Sequence, residues 1–474
     1  MKRRIIVICI VLFSAIIFSI TGFLILEKIN MPMPTIPNPE EIYSSSLPAI
    51  ASSKNISLKI SQTKEISVEN DVFSEQSQQT LTYNDFGEES MRIKLEETLT
   101  IDSHSVEFTE LYANNIGYVT IGESKFTSNI AENYTNRFTP AILIDPALYG
   151  SITGVNSGLG YIIYFSEPTA AENWAFIEGS EFIDANGTAY VDFNNNLTKS
   201  IYNLTYQLDN IRFQLTYTVE ISTDCPEIIL PEDTSGFISI EYLDGPRTLE
   251  KASGYLMQAK NVSSTYSENI YCQFFGDRST RNIELNTQAE PTWSADVETN
   301  TTLSNDSRIG QETITNKLER FTNEKYSVAV NGGEPVDNDQ VKAEDMHSYC
   351  ENLLVGTIML PQHIRNAKIT QTDITLRIDF EANKSFANVV ASNACQILYQ
   401  NSALLDTLSE NHTVDTARCY LKIDMITGLP IATGITCDST YTMTGLPYQF
   451  TFKADQSYNV LCSSSDGENN KAAG

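Results

Sequence analysis

The sequence predicts an α+β protein, mainly antiparallel β, with two tandem domains behind one N-terminal transmembrane helix. Three observations support this prediction. Short runs of alternating apolar and polar residues recur along the chain, a period typical of strands with one buried face. The order strand, helix, strand meander occurs twice. An unbroken apolar run fills residues 5–26.

Length and composition restrict the class of protein. The 474 residues are enough for two or three domains, and 41% hydrophobic residues exclude a mainly disordered chain. The formal net charge of -29 opposes binding to nucleic acid or to anionic lipid headgroups, which require basic patches. No nucleic-acid partner is therefore expected.

The apolar run Ile5 to Leu26 has the length of a membrane-spanning helix, which needs about 20 residues. The basic residues Lys2 to Arg4 favour a cytoplasmic location for residues 1–4. The remainder of a single-pass cell-membrane protein would then be extracytoplasmic. A cleavable signal peptide is the alternative, although no small-x-small motif precedes Glu27.

Composition also divides the rest of the chain. Residues 27–54 are rich in proline and serine and are interpreted as a linker. The predicted first domain covers residues 55–224, a looser connector covers 225–250, and the second domain covers 251–462. The polar residues 463–474 are expected to be a disordered tail.

The first strand, helix and meander follow one another between residues 161 and 221. Tyr161 to Phe165 has the pattern of a strand, and Ser166 is placed to cap a helix whose buried stripe includes Trp174. The meander Thr188 to Ile221 follows, with a hairpin turn at Asp209-Asn210.

The same order returns in the second half of the chain. A helix is predicted over residues 347–359 and a strand over Thr372 to Phe380. Asn383 or Ser385 would cap the next helix, with a buried face made of Phe386, Val389, Val390, Ala394, Ile397 and Leu398. The closing meander, Arg418 to Tyr458, contains four alternating runs separated by breaks that include Thr427-Gly428 and Thr444-Gly445.

Eight cysteines are few for this length, and seven of them lie beyond the predicted anchor. An odd number does not favour a disulfide-stapled fold. A hairpin centred on Gly428 would set Cys419 opposite Cys437, where a disulfide can form. Two small buried hydrophobic residues are the alternative, and both interpretations remain open.

Motifs for catalysis are not found in the sequence. The four histidines have no partners at metal-ligand spacing, and no nucleophile motif or Gly-rich phosphate loop occurs. We therefore predict no enzymatic activity, no metal and no cofactor.

The segments DITLRIDFEANKSFANVV and KIDMITGLPIATG resemble the bacterial LolA/LolB/LppX-type lipoprotein-carrier superfamily, which includes the sensor domain of RseB-type regulators. The resemblance covers roughly residues 340–458, and the first half follows through the internal match. It implies a curved, unclosed antiparallel half-barrel packed on helices in each domain, often with an apolar cavity for acyl chains. Members usually carry one such domain, whereas two are predicted here.

These patterns give two functional hypotheses. If a gap remains between sheet and helices, the protein binds a lipidic or other hydrophobic ligand at the cell envelope, as a sensor or carrier with a partner protein. If the helices fill that space, the domains are an interaction scaffold. The residues expected to line a ligand site are Trp174, Phe213, Leu215, Phe386, Tyr448, Phe450 and Phe452.

Overall fold

The computed structural model describes residues 36–460, except 69–70, 102–103, 130–143, 170–179, 274–275, 289–292, 306–310, 323–324, 339, 357, 372–374, 399–411, 426 and 444–445. The predicted anchor (residues 5–26), the residues before it and the tail 463–474 lie outside this range. Within the described residues, no helix is long and apolar enough to cross a bilayer.

The described chain folds into two open, mainly antiparallel β-sheets, as the period-two pattern predicts. The first sheet has the strand order β12-β6-β5-β4-β3-β2-β1-β11-β10-β9-β8-β7. Its strands are β1 (Ile56–Val68), β2 (Asp71–Asn84), β3 (Arg92–Ile101), β4 (His104–Ala113), β5 (Ile116–Ile121), β6 (Ser124–Ser128), β7 (Tyr149–Asn156), β8 (Gly160–Pro168), β9 (Glu181–Asp192), β10 (Leu197–Leu208), β11 (Ile211–Ser222) and β12 (Ile238–Ser239).

The second sheet has the order β18-β17-β16-β15-β14-β13-β23-β22-β21-β20-β19. Its strands are β13 (Val262–Cys272), β14 (Asp277–Gln288), β15 (Ser294–Asn305), β16 (Gln311–Thr322), β17 (Lys325–Val330), β18 (Val336–Asp337), β19 (Ile364–Gln371), β20 (Thr375–Ala382), β21 (His412–Asp424), β22 (Pro430–Met443) and β23 (Leu446–Val460).

The two sheets share one topology. In each, the first strand pairs with the last long strand, β1 with β11 and β13 with β23. On one side of this central pair lie β2 to β6 in the first sheet, with β12 added at the edge, and β14 to β18 in the second. Four strands lie on the other side in each sheet, β10 to β7 and β22 to β19. A 3-10 turn precedes the second group in both copies, at Pro146–Leu148 and at Pro361–His363. The internal repeat predicted from the sequence therefore has a counterpart in strand order.

Four helices accompany the sheets in the described residues: α1 (Pro39–Ala51), α2 (Asp244–Gln258), α3 (Ala343–Val355) and α4 (Lys384–Leu398). Helix α1 corrects the linker predicted over residues 27–54. Its first turn holds Pro39 with Glu40 and Glu41, which suits a helix N-terminus. Tyr43 is fully buried and donates a hydrogen bond to Ile144 O at 2.9 Å, and this packing was not visible in the composition.

Helix α2 lies between the two sheets and joins their cores. Its residues Arg247, Lys251 and Tyr255 hydrogen-bond to strands of the first sheet. On another face, a Cβ at Gly245 would lie 2.8 Å from Ala367 Cβ in β19 of the second sheet. One hydrophobic cluster accordingly runs through both sheets. Residues 244–250, the end of the segment predicted as a looser connector, therefore belong to this shared core.

Four sequence predictions need correction. The closing meander has three strands, because the second and third alternating runs form one strand, β22. Ser166 lies in β8 and caps no helix there, since that strand continues to Pro168. The helix predicted over 347–359 is α3, which begins at Ala343 and ends at Val355. Val389 of α4 is 56% exposed, so the buried face of α4 differs from the predicted one.

Local turn predictions agree with the structure. Gly428 has a φ of +77° and follows a turn in which Asp424 Oδ1 accepts from Thr427 N at 2.7 Å. Asp209 also has a positive φ, of 51°, in the β10–β11 hairpin. Asn383 caps α4, because its Oδ1 accepts from Phe386 N at 2.9 Å.

Candidate functional site

A cavity of about 180 Å³ lies between the second sheet and helix α3. Strands β13, β14 and β23 form one wall, and the C-terminal turn of α3 forms the other. The lining combines aliphatic with polar side chains: Ser264, Tyr266, Arg281, Ile283, Leu285, Asn352, Leu353, Gly356 and Gln456. This combination is typical of small-molecule sites, in which a mostly apolar surface carries a few polar groups that orient the ligand.

An ion pair between half-buried Arg281 and buried Glu268 forms the polar side of the cavity. Arg281 Nη2 donates to Glu268 Oε2 at 2.8 Å, and Tyr266 donates from its hydroxyl to the same oxygen at 2.7 Å. Burial and the neighbouring Glu268 carboxylate raise the pKa of Tyr266, so that its hydroxyl stays protonated as a donor. Burial acts to lower the pKa of Arg281, but the charge of Glu268 and the interactions with Tyr266 together raise it, and the guanidinium stays charged.

Two buried atoms of this ion pair keep unused hydrogen-bonding capacity. Within the described part of the chain, neither Arg281 Nε nor Glu268 Oε1 has a hydrogen-bond partner. Buried polar atoms are normally paired, because an unpaired one costs about 1–3 kcal/mol. Both atoms are buried, and the guanidinium of Arg281 is the charged group in the cavity lining.

Side chains of β23 and β16 hold helix α3 over the cavity. Gln456 Nε2 donates to Leu353 O at 3.0 Å, and Tyr458 donates to Leu354 O at 2.8 Å. These are carbonyls of the last helical turn, which have no partner within the helix. Tyr349, nearer the start of α3, donates to Glu319 Oε2 at 3.1 Å. The helix is fixed along its length, so the cavity has a defined shape.

The volume limits what the cavity can hold. At about 30 Å³ per water-sized unit, 180 Å³ accommodates a ligand portion of about six heavy atoms. A long acyl chain does not fit within it. Two larger depressions, of about 410 and 770 Å³, are open and mainly polar, and are lined respectively by strands β1 to β4 and by the start of α1 beside β7.

The residues predicted to line a ligand site lie elsewhere. Trp174 is outside the described residues. Phe213 is fully buried and stacks on Tyr206 with ring centroids 4.6 Å apart, and Leu215 is partly buried beside the same core. Phe450 and Phe452 are buried in the second sheet, and Tyr448 is partly buried. None of the six described residues lines the three cavities above.

Helix α4 covers the meander that the sequence analysis singled out. Ala387, Ala391 and Ala394 form its buried stripe, and α4 contacts β21, β22, β23 and β14. Alanines permit a close approach of helix to sheet. Phe386 is only partly buried and stacks on His363 at 4.5 Å. This part of the second domain is therefore filled, and the gap lies under α3 instead.

The register does not place Cys419 and Cys437 opposite each other. Cys419 pairs with Ile435, and Cys437 pairs with Ala417, because this stretch of the hairpin is centred on Thr427 rather than on Gly428. Both thiols are free and buried, and burial raises the pKa of each to about 12. They have the environment of small core residues rather than of a disulfide.

Under the first sheet, a polar cluster replaces the expected apolar space. We name it the interdomain polar cluster: Lys64, Glu75, Glu97, Arg247, Lys251 and Tyr255. Lys251 donates to Glu75 Oε1 at 2.8 Å, Tyr255 donates to Glu75 Oε2, and Arg247 donates to Glu97 Oε2. Lys64 reaches the second domain and donates to Thr427 O at 2.8 Å.

Charge pairing determines the electrostatics of the interdomain polar cluster. Burial raises the pKa of Glu75, but the charges of Lys251 and Lys64 and the hydrogen bonds from Lys251 and Tyr255 outweigh it and leave a pKa of about 2. Burial, followed by the charge of Lys251, lowers the pKa of Lys64 to about 8, although Glu75 acts in the opposite direction. The hydrogen bonds and ion pairs between these groups indicate a structural role.

Sequence reasoning missed both the cavity and this cluster. A signal was present, because Glu97 falls at an inward position of the otherwise apolar strand β3, and Glu75 falls at an inward position of β2. It could not be interpreted without their partners, which lie 176 and 150 residues away in α2. Among the described residues, no group of His, Cys, Asp or Glu side chains is arranged to hold a metal ion.

Comparisons with known proteins provide little further constraint. No family model and no curated protein matches the sequence. Among solved structures, LprF from Mycobacterium bovis is 9% identical, with a TM-score of 0.23 over 47% of this chain and 96% of that one. A putative AttH from Nitrosomonas europaea is 7% identical, with a TM-score of 0.14 over 90% and 97% of the two chains. These scores are too low to establish a shared fold, so the resemblance to the lipoprotein carriers remains a prediction.

Proposed function

We propose that this protein is a membrane-anchored, extracytoplasmic binding protein whose second domain takes up a small hydrophobic ligand under helix α3. The observation that carries the proposal is the cavity lined by Ile283, Leu285 and Leu353, with Arg281 at its polar side. The anchor is the apolar run of residues 5–26. No catalytic role is proposed.

The lining defines the chemical class of ligand. The three aliphatic side chains favour a hydrocarbon or aromatic body of about six heavy atoms. Arg281 is already paired with Glu268, so the site has no net charge for an ionised carboxylate. A guanidinium that is already paired suits a neutral acceptor oxygen, such as that of an alcohol, ester or amide. A larger lipid would insert only one short end.

Titration with straight-chain alcohols from n-butanol to n-decanol tests the proposal. Each methylene group that enters the cavity contributes about 0.8 kcal/mol, so affinity rises about fourfold per carbon. We expect the rise in affinity to stop at about six carbons, where the cavity is full. Calorimetry on the full-length protein in detergent measures the series.

Two variants serve as the matched pair. Leu353→Trp fills the cavity from α3 and should abolish the dependence on chain length. Val389→Trp adds the same side chain at a site that is 56% exposed on α4 and should leave it unchanged. Affinity that keeps rising to n-decanol, or that survives Leu353→Trp, would exclude this cavity as the site.

The first domain supports a second candidate function, an interaction scaffold with filled cores. Its specific support is helix α2, which covers β3 and β4 and places charged residues where a ligand would lie. Absence of any alcohol binding, together with a stable protein partner in cross-linking, would favour the scaffold.

A further inference from the structure

Two neighbouring hairpin ends of the first sheet expose large apolar side chains. Leu159, between β7 and β8, is 88% exposed, and Phe193, between β9 and β10, is 55% exposed. The pairing of Gly160 with Asp192 places the two turns side by side. Tyr161 connects them, because its ring contacts that of Phe193 with centroids 5.5 Å apart. We call Ser157–Tyr161 and Phe193–Asn196 the apolar tip.

The turns of the apolar tip are held rigidly by their own hydrogen bonds. Asp192 Oδ1 accepts from Asn194 N at 2.9 Å and from Asn196 N at 2.8 Å. In the other turn, Ser157 N donates to Gly160 O at 2.9 Å. The backbone groups of both turns are therefore hydrogen-bonded within the turns, while the side chains of Leu159 and Phe193 remain exposed to solvent. Exposed apolar side chains presented together mark interaction surfaces.

The N-terminal part of the chain reaches the first sheet close to the apolar tip. Ile36 N donates to Gly154 O at 3.1 Å, and the Ile36 side chain packs where a Cβ at Gly154 would lie. Gly154 is two residues before the end of β7 at Asn156, or about 7 Å at the rise of a strand. The described chain therefore begins at the end of the sheet that carries the tip.

The apolar run ends at Leu26, about ten residues before Ile36. Even fully extended, this segment spans at most about 35 Å, and as a flexible coil it spans about 17 Å on average. A bilayer that contains residues 5–26 thus lies within that distance of Ile36, at the end of the sheet that carries the tip. Ile229, 79% exposed, also lies at this end of the sheet, since Asn84 at the end of β2 accepts from Ile228 N.

From these observations we infer that the apolar tip lies against the outer surface of the bilayer in which residues 5–26 are anchored, with Leu159 and Phe193 in its interfacial region. The inference rests on the anchor in the proposed function but not on the ligand cavity. Apolar and aromatic side chains are favoured at that depth. Asp192 beside the tip and the net charge of -29 favour neutral over anionic headgroups.

Tryptophan reporters in the full-length protein test this inference. Leu159→Trp and Phe193→Trp place a fluorophore on the tip. Val72→Trp places one at the opposite end of the same sheet, where Val72 has the same 55% exposure as Phe193. Each variant is reconstituted into vesicles of brominated phosphatidylcholine, whose bromine atoms quench fluorescence on contact. The signal of unsubstituted protein is subtracted, because the chain contains two tryptophans.

We expect loss of fluorescence for both tip reporters and none for Val72→Trp. Replacing part of the neutral lipid by phosphatidylglycerol should reduce that loss. Equal quenching of all three reporters, or none, would overturn the inference. Tip reporters shielded from aqueous acrylamide yet unquenched by bromine would indicate that protein, in a partner or a second copy, covers the tip, and would also overturn it.

A second measurement distinguishes failure of the membrane anchor from failure of the tip to dock. Flotation of the vesicles shows whether the chain is membrane-bound at all. Protein that does not float would contradict both the anchor and the docking of the tip, whereas floating protein with unquenched tip reporters would contradict the docking alone.

Discussion

At the scale of single residues, Glu75 illustrates how a buried charge is tolerated in this fold. Its carboxylate accepts from Lys251 and Tyr255 and interacts with the charge of Lys64, which together hold its pKa near 2 despite burial. A depressed carboxyl pKa stabilises the folded state above the unfolded value near 4.5. That stability is lost as the pH falls from there through 2.

We predict that Glu75→Gln lowers the free energy of unfolding by about 3 kcal/mol at neutral pH, because it leaves the partly buried Lys251 ammonium without its ion-pair partner and removes the opposite charge near Lys64. The variant should also lose the part of the acid-dependent decline between pH 4.5 and 2 that Glu75 contributes. Chemical unfolding at several pH values, followed by circular dichroism, measures both effects.

Glu96→Gln is the control for Glu75→Gln. Glu96 lies on β3, pairs with Lys94 at 2.6 Å and is about half exposed. Surface pairs contribute about 0–1 kcal/mol, so little change is expected. A pH profile of Glu75→Gln that runs parallel to that of the unsubstituted protein would contradict the assigned pKa.

At the scale of elements, helix α2 makes the two domains one structure. Two glycines permit this double contact. A Cβ at Gly254 would lie 2.9 Å from His104 Cδ2 in the first sheet, and one at Gly245 would lie 2.8 Å from Ala367 Cβ in the second. Contacts this short require one partner to move. The helix could therefore not pack so closely on both sheets with ordinary side chains at these positions.

We predict that Gly245→Ala destabilises the protein by about 1–3 kcal/mol through overpacking, although alanine normally favours a helix. Removing the opposing methyl group should relieve the contact, so Gly245→Ala combined with Ala367→Gly should be less destabilised than the two single changes added together. Thermal and chemical unfolding of the four proteins provide the comparison.

The corresponding control is Gly236→Ala, since nothing lies within 4 Å of a Cβ built there. Strict additivity of Gly245→Ala and Ala367→Gly would contradict the close contact between α2 and β19.

At the scale of the whole molecule, the sequence predicted the type of architecture better than the way in which the helices cover the sheets. Period-two alternation and the repeated order of elements were enough for the meander Pro430–Val460 and for the matching halves. The hairpin at Asp209 and the cap at Asn383 followed from local chemistry, which acts over a few residues.

What the sequence could not predict depends on distant contacts. Tyr43 makes α1 a packed helix through a partner 101 residues away, so composition alone indicated a linker. An aromatic residue such as Phe213 or Phe450 can face either a ligand or a core, and its identity does not distinguish these two cases. The structure does, because Tyr206 stacks on Phe213 and helix α4 packs on the strand that contains Phe450. The cavity arises where α3 spans Arg281 and Leu285, two residues that no local pattern connects to a helix about 70 residues later.

The central claim is that this cavity is the ligand site, and anomalous scattering tests it most directly. Crystals grown with 3-bromopropanol, whose five heavy atoms are within the limit of about six, are measured at the bromine edge. We predict one bromine peak between Leu285 and Leu353, with the alcohol oxygen directed toward the Arg281 guanidinium. Bromine density only outside this cavity, or none at saturating concentration, would contradict the account.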